Sequence, residues 1–198
     1  EHLLNPEEFW TPMPLPSVAV NDPLFRNVTT NNWSGQAEAL TYQRAIRALE
    51  NYGYDWMIPL LGRKLFEAIG EDCIFVQQYD PFTQKPSYVS LEGKQDAYGP
   101  AMLSVMEYTA RMYGVHMERE YLFWGTVSGT ESSYCQEWGE RSFLIKNNGK
   151  RAEAFLDGKK IFEAGADLKI VTDFNGNIIR VDALARDADR KNVKEGIF

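Results

Sequence analysis

Asn31 to Tyr54, NNWSGQAEALTYQRAIRALENYGY, joins a polar, tryptophan-bearing turn to a helix with a clear stop. Ala39, Tyr42, Ala45, Ile46, Leu49 and Tyr52 recur at helical spacing on one face, with Gln43, Arg44, Arg47 and Glu50 turned away. Gly53 follows the last turn, where a left-handed residue closes a helix. Trp33 and Gly35 sit just before it, and a rigid Trp-Ser-Gly turn suits gripping a flat, polar ligand.

Downstream, Asp55 is a fair N-cap for a second helix to about Ile69, closed by Gly70. Its stripe is Ile58, Leu61, Leu65 and Ile69, and Pro59 is tolerated near the first turn. Two helices across so short a turn predict an αα-hairpin. Cys73 to Val76 reads as a short strand, followed by a long polar loop to Gly99. Pro100 opens a third helix to Tyr113, stopped by Gly114; it is apolar nearly all round, which predicts a buried helix.

Upstream, residues 1–30 are irregular, and TPMPLPS, with prolines at 12, 14 and 16, predicts an extended segment lining a surface. Past Arg119 the period changes. Glu120–Thr126 and Ser142–Lys146 read as strands, and two hairpins turn on Asp157-Gly158 and Asn175-Gly176. The charged tail from Arg186 reads as a solvated end. The helical part is expected to span 1–116 and a β domain 117–198.

Composition narrows the function. The net charge of −7 comes with no basic run, which argues against a nucleic-acid partner. No apolar run approaches membrane-spanning length, so no membrane partner is expected. His2 and His116 are the only histidines and Cys73 and Cys135 the only cysteines, well separated, so neither a Ser-His-Asp triad nor a zinc site is read. No metal or organic cofactor is implied, and compartment stays open. The opening EHLLNPEEFW reads like the middle of a polypeptide.

Four segments in order, DPLFRN at 22–27, the stretch 31–54, FVQQYDPFTQKPS at 75–87 and AYGPAMLSVMEYTARMYG at 97–114, resemble the C-terminal part of six-hairpin glycosidases. The likeness is to glycoside hydrolase family 63, the trehalases and the mannosylglycerate hydrolases. It implies an α+β chain: the C-terminal part of an α/α toroid of helical hairpins, then an antiparallel β-sandwich-like domain. It further implies hydrolysis of a glycosidic bond by two carboxyl groups with inversion, the general acid lying upstream of these residues. Relatives carry Glu where this chain has Gln77, and glutamine cannot take up a proton as a base. Glu38, Asp80, Glu92 and Asp96 are the carboxylates left, with Glu38 and Glu92 foremost for catalysis. Trp33, Gln36, Gln77, Asp80 and Trp10 are the candidates for gripping the carbohydrate substrate.

Each has a plainer reading. Trp33 serves equally as a lid over the helix start, and Glu38 as a first-turn carboxylate meeting the helix dipole, worth about 0.3–1 kcal/mol. Asp80, before Pro81, sets a turn. Glu92 is a solvated loop charge, and Trp10, Trp124 and Trp138 are core or interface. Three long helices cannot close a toroid, so apolar faces at 36–52 and 100–113 are expected to need a missing N-terminal region or self-association. A non-catalytic carbohydrate-binding or structural module is the reading from another class. Sugar, linkage and anomer are not legible.

Overall fold

The computed structural model describes residues 1–29, 33–70, 73–87 and 97–196. The chain divides into two compact units, Glu1–Asn51 with Leu60–Glu107, and Tyr52–Pro59 with Tyr108–Phe198. Three α-helices occur among the described residues: α1 (Ala39–Asn51), α2 (Ile58–Ile69, after a 3₁₀ turn at Asp55–Met57) and α3 (Gly99–Tyr113). Two two-residue strands, β1 (Ala37–Glu38) and β2 (Gln78–Tyr79), belong to the first unit. Nine more follow: β3 (Val115–Glu118), β4 (Tyr121–Gly125), β5 (Glu131–Trp138), β6 (Arg141–Asn148), β7 (Arg151–Leu156), β8 (Lys159–Gly165), β9 (Leu168–Thr172), β10 (Ile178–Ala183) and β11 (Val193–Glu195).

In the first unit α1 buries its stripe against irregular chain. Ala39, Tyr42, Ile46 and Leu49 of α1 are buried as the period predicts, and Gly53 takes φ 74° to end the chain's helical run. What covers that face is the proline-rich segment. Tyr42 Oη donates to the Pro14 carbonyl at 2.8 Å, Pro16 bridges Ala37, and Met13 N donates to Pro81 O at 2.9 Å. TPMPLPS is therefore core: Thr11, Met13, Pro14 and Pro16 are buried, where a surface segment was expected. Proline brings no N–H to satisfy, so the segment is buried once its remaining amide and carbonyls find partners.

The expected toroid of helical hairpins is contradicted. Among the described residues the chain forms mostly small sheets with three helices of 13, 12 and 15 residues, each about 20 Å long. Nor do the apolar positions of α1 lie bare, as expected for 36–52; of that stripe only Tyr52, past the helix end, is strongly exposed. α3 is not the buried helix its composition predicts, and it does bare apolar side chains within 100–113 as expected. Ala101, Ser104, Tyr108 and Met112 are buried, but Met102, Leu103 and Met106 are 48%, 47% and 58% exposed. Cys73–Val76 is irregular, and the strand begins at Gln78.

The second unit holds two antiparallel sheets, ordered β10-β9-β4-β3 and β11-β8-β7-β6-β5. Phe143 and Ile145, then Ala152, Ala154 and Leu156, then Phe162 and Ala164 alternate inward with period two and meet Leu122, Trp124, Leu168 and Ile170 in one core. Trp124 is fully buried, edge-on to Phe162 at 5.8 Å, and its Nε1 donates to Thr172 Oγ1 at 3.0 Å. Asp157 (φ 50°) and Gly158 (φ 79°) make the tight turn between β7 and β8, as the Asp-Gly pair predicts. β5, an edge strand of alternating exposed and half-buried residues, and β11, in the charged tail, were not legible beforehand.

Buried within this unit, Lys169 Nζ pairs with Asp55 Oδ1 and lies 3.4 Å from Asp182 Oδ2. The Arg186 guanidinium stands 4.0 Å over the Trp56 ring.

Candidate functional site

The first unit's polar centre is the β1–β2 ribbon. Ala37 pairs with Tyr79 and Glu38 with Gln78, antiparallel, and Ala39 N donates to Gln77 O at 3.0 Å. Pro16 flanks the ribbon at Ala37 and Pro86 at Tyr79. Alternation then sorts the side chains. Ala37 and Tyr79 lie on the core side, both fully buried. Gln36, Glu38, Gln78 and Asp80 share the other face, and all four are buried as well.

A relay of amides ties that face together. Gln36 Nε2 donates to Asn27 Oδ1 at 2.6 Å, and Asn27 Nδ2 donates to Asp80 Oδ2 at 2.7 Å. Asp80 Oδ1 accepts the Phe82 and Thr83 amides, each at 2.8 Å, which folds the chain at Pro81. Burial pushes the Asp80 carboxyl up, but these bonds outweigh it and hold the group below the ordinary aspartate range. Glu38 is the reverse case. Burial raises it above the ordinary glutamate range, offset only in part by the Thr41 hydroxyl and the Arg44 charge.

Gln36 Oε1, both polar atoms of the Gln78 amide and Ser87 Oγ are buried without a hydrogen-bond partner among the described residues. Such groups each cost about 1–3 kcal/mol, so native proteins keep few of them, and they offer an incoming polar ligand ready donors and acceptors.

The predicted residues distribute unevenly. Gln36, Glu38 and Asp80 come together on the ribbon face. Glu38 ends β1 and precedes α1, which starts at Ala39, so it is a strand residue facing Gln78 and no longer a first-turn helix charge. Gln77 precedes β2, and alternation assigns its side chain to the face opposite Gln78. Trp33 is 53% exposed, its carbonyl accepting from Ser17 Oγ at 2.6 Å. Trp10 is half-buried in the N-terminal turn, its amide donating to Asn5 O. Glu92 and Asp96 lie outside the described residues.

Asn27 and Ser87, to which no role was assigned in advance, join the site together with Gln78. Their one signal was position: Asn27 ends DPLFRN, and Gln78 and Ser87 lie in FVQQYDPFTQKPS. Among the described residues no group of three or more His, Cys, Asp or Glu side chains is placed to hold a metal ion, and no helix is long and apolar enough to cross a membrane. Compared with protein-family models, curated proteins and solved structures, the chain finds no match.

Proposed function

We propose that this chain acts on carbohydrate and takes part in hydrolysing a glycosidic bond, with Glu38 as general acid and Asp80 as general base. The observation that carries the reading is the pairing of two buried carboxyls on one ribbon face whose surroundings push their pKa values apart, Glu38 up and Asp80 down. That divergence is how one site keeps one carboxyl protonated and the other ionised at the same pH. Glu38 stands across from Gln78, which makes Asp80 its diagonal neighbour. The backbone positions of diagonal neighbours on such a ribbon are about 7–8 Å apart, a spacing from which two side chains can set their carboxyls further apart or closer. Inverting pairs stand roughly 6.5–9.5 Å apart, leaving room for a water.

In that geometry Glu38 gives its proton to the glycosidic oxygen as the C1–O bond breaks. Asp80 takes a proton from the water attacking C1 from the opposite face, and the product hemiacetal is inverted. Gln36, Asn27 and Gln78 supply amides for ring hydroxyls, and the exposed Trp33 supplies an apolar platform. The likeness of the four sequence segments to family 63 glycosidases supports the same substrate class.

A second reading, carbohydrate binding without turnover, draws on the fact that both Asp80 oxygens already accept N–H donors. Incubating the protein with neutral oligosaccharides and following the anomeric signals by NMR separates the two. Under the catalytic reading, Glu38→Gln lowers kcat by about 10²–10⁴-fold. Binding with no turnover in either protein leaves the second reading, and neither binding nor turnover overturns both.

A further inference from the structure

We propose that the outward face of the five-stranded sheet carries a subsite for a small oxyanion, a carboxylate or phosphate group borne by a molecule about the size of one sugar ring. A hollow of about 210 Å³ opens there, lined by Lys146, Asn147, Asn148, Arg151, Glu153 and Glu163. It is smaller than the roughly 300–1,000 Å³ typical of drug-sized sites, which sets the scale of the occupant.

The lining follows from strand register. Lys146 pairs with Glu153, Glu153 with Glu163 and Glu163 with Lys194, so one row of charged side chains crosses β6, β7, β8 and β11. The two carboxylates in that row are already engaged. Lys160 Nζ contacts Glu153 Oε1 and lies 3.4 Å from Glu163 Oε2, and Arg151 Nε lies 2.6 Å from Glu163 Oε1. These bonds hold Glu163 below the ordinary glutamate range, the Lys160 contact most of all.

The donors are not used up. Lys146 Nζ rests 5.6 Å from the Phe155 ring centre, and no ion pair engages it among the described residues. Arg151 Nε meets Glu163 as an ion pair without a hydrogen bond, which leaves the whole guanidinium edge able to donate. Asn148 Oδ1 accepts the amides of Lys150 and Arg151 at 3.0 and 2.8 Å, which fixes the side-chain amide and leaves Nδ2 to donate. Asn147 is satisfied at both ends, by Val127 O and Gly149 N, and so contributes wall.

The hollow thus holds an ammonium, a guanidinium edge and an amide N–H₂, with both lining carboxylates already facing cations. Lys146 and Arg151 line it beside Glu153 and Glu163, whose charge Lys160 and Arg151 already meet, on a chain whose net charge is −7. A fork of donors of this kind matches a planar or tetrahedral oxyanion, where a neutral ligand would leave charge unpaired. The subsite stands independently of Glu38 and Asp80.

The test is a titration of the whole protein with inorganic phosphate, with glucuronate and with glucose at constant ionic strength, following the backbone amide shifts of Asn148 and Arg151. Saturable shifts with either anion, none with glucose, and binding at least fivefold weaker in Lys146→Gln are expected. Response to phosphate alone assigns a phosphate ester, response to glucuronate alone a carboxylate-bearing sugar. Shifts that fail to saturate with both anions, or that persist unchanged in Lys146→Gln, overturn the proposal and leave a solvated ionic ladder. Asn148→Ala is the second variant, expected to weaken binding with an unchanged far-UV spectrum.

Discussion

Gln78 stands directly across the β1–β2 ribbon from Glu38, buried, with neither end of its amide hydrogen-bonded among the described residues. A raised carboxyl facing an uncommitted amide is a polar pair held in a core that contributes little to its satisfaction.

Glu38 favours the protonated state in the folded protein, because burial penalises its charge first and foremost. Its stabilising contribution is therefore present below the ordinary glutamate value near 4.5 and lost as pH rises through the higher folded value. Glu38→Gln should melt with the wild type in acid and above it at neutral pH. Parallel thermal scans across that window check the sign; a variant that melts lower at neutral pH than the wild type refutes it.

Asp80 titrates the other way. Its folded value lies below the ordinary 3.8, so its contribution is present above that value and lost as pH falls through the folded one. Asp80→Asn also turns an N–H₂ toward the Asn27 Nδ2 donor, so we expect a loss of about 1–3 kcal/mol at neutral pH. Urea unfolding should show the gap between the two proteins narrowing in strong acid.

Gly35 sits where a Cβ would fall inside the contact distance of the Arg26 carbonyl, a backbone group that cannot swing aside. Gly35→Ala should cost about 1–3 kcal/mol by displacing the chain next to Asn27. NMR of the Asn27 side-chain amide reports whether the relay to Asp80 breaks with it.

Tyr42→Phe removes the donor to the Pro14 carbonyl and strands that acceptor in the core. A loss of about 1–3 kcal/mol is expected by denaturant titration. A loss near zero would mean that the proline-rich segment is not tied to α1 through this bond.

Lys169→Met leaves Asp55 buried without its cation, whereas Asp182 keeps Arg180 at 2.9 Å. Removing one partner of a buried pair costs about 3–5 kcal/mol. Adding Asp55→Asn should recover most of it, so the double variant in a thermal cycle separates the orphaned charge from lost packing.

An element is legible in the sequence when the residues that determine it lie close together in the chain. Gly53, with φ 74°, and Asp157-Gly158, with φ 50° and 79°, impose backbone geometry on their immediate neighbours, so the end of α1 and the β7–β8 turn were legible in advance. The ribbon was not. Two-residue strands leave no period to read, and Glu38 meets Gln78 across forty residues of chain. Candidate residues such as Gln36, Glu38 and Asp80 could be named from their segments, yet the face they share, and the place of Asn27 on it, follow only from that pairing.

By itself the sequence determined the local elements: an amphipathic α1, helices near 58–69 and 99–113, and hairpins on Asp-Gly and Asn-Gly. Only the tertiary structure decided what covers them. A helix stripe encodes that an apolar partner is needed and not which one, because the hydrophobic effect is non-directional. Here the partner of α1 is the proline-rich segment bonded through Tyr42 to Pro14, which closes small sheets and short helices into the first unit in place of a toroid of helical hairpins.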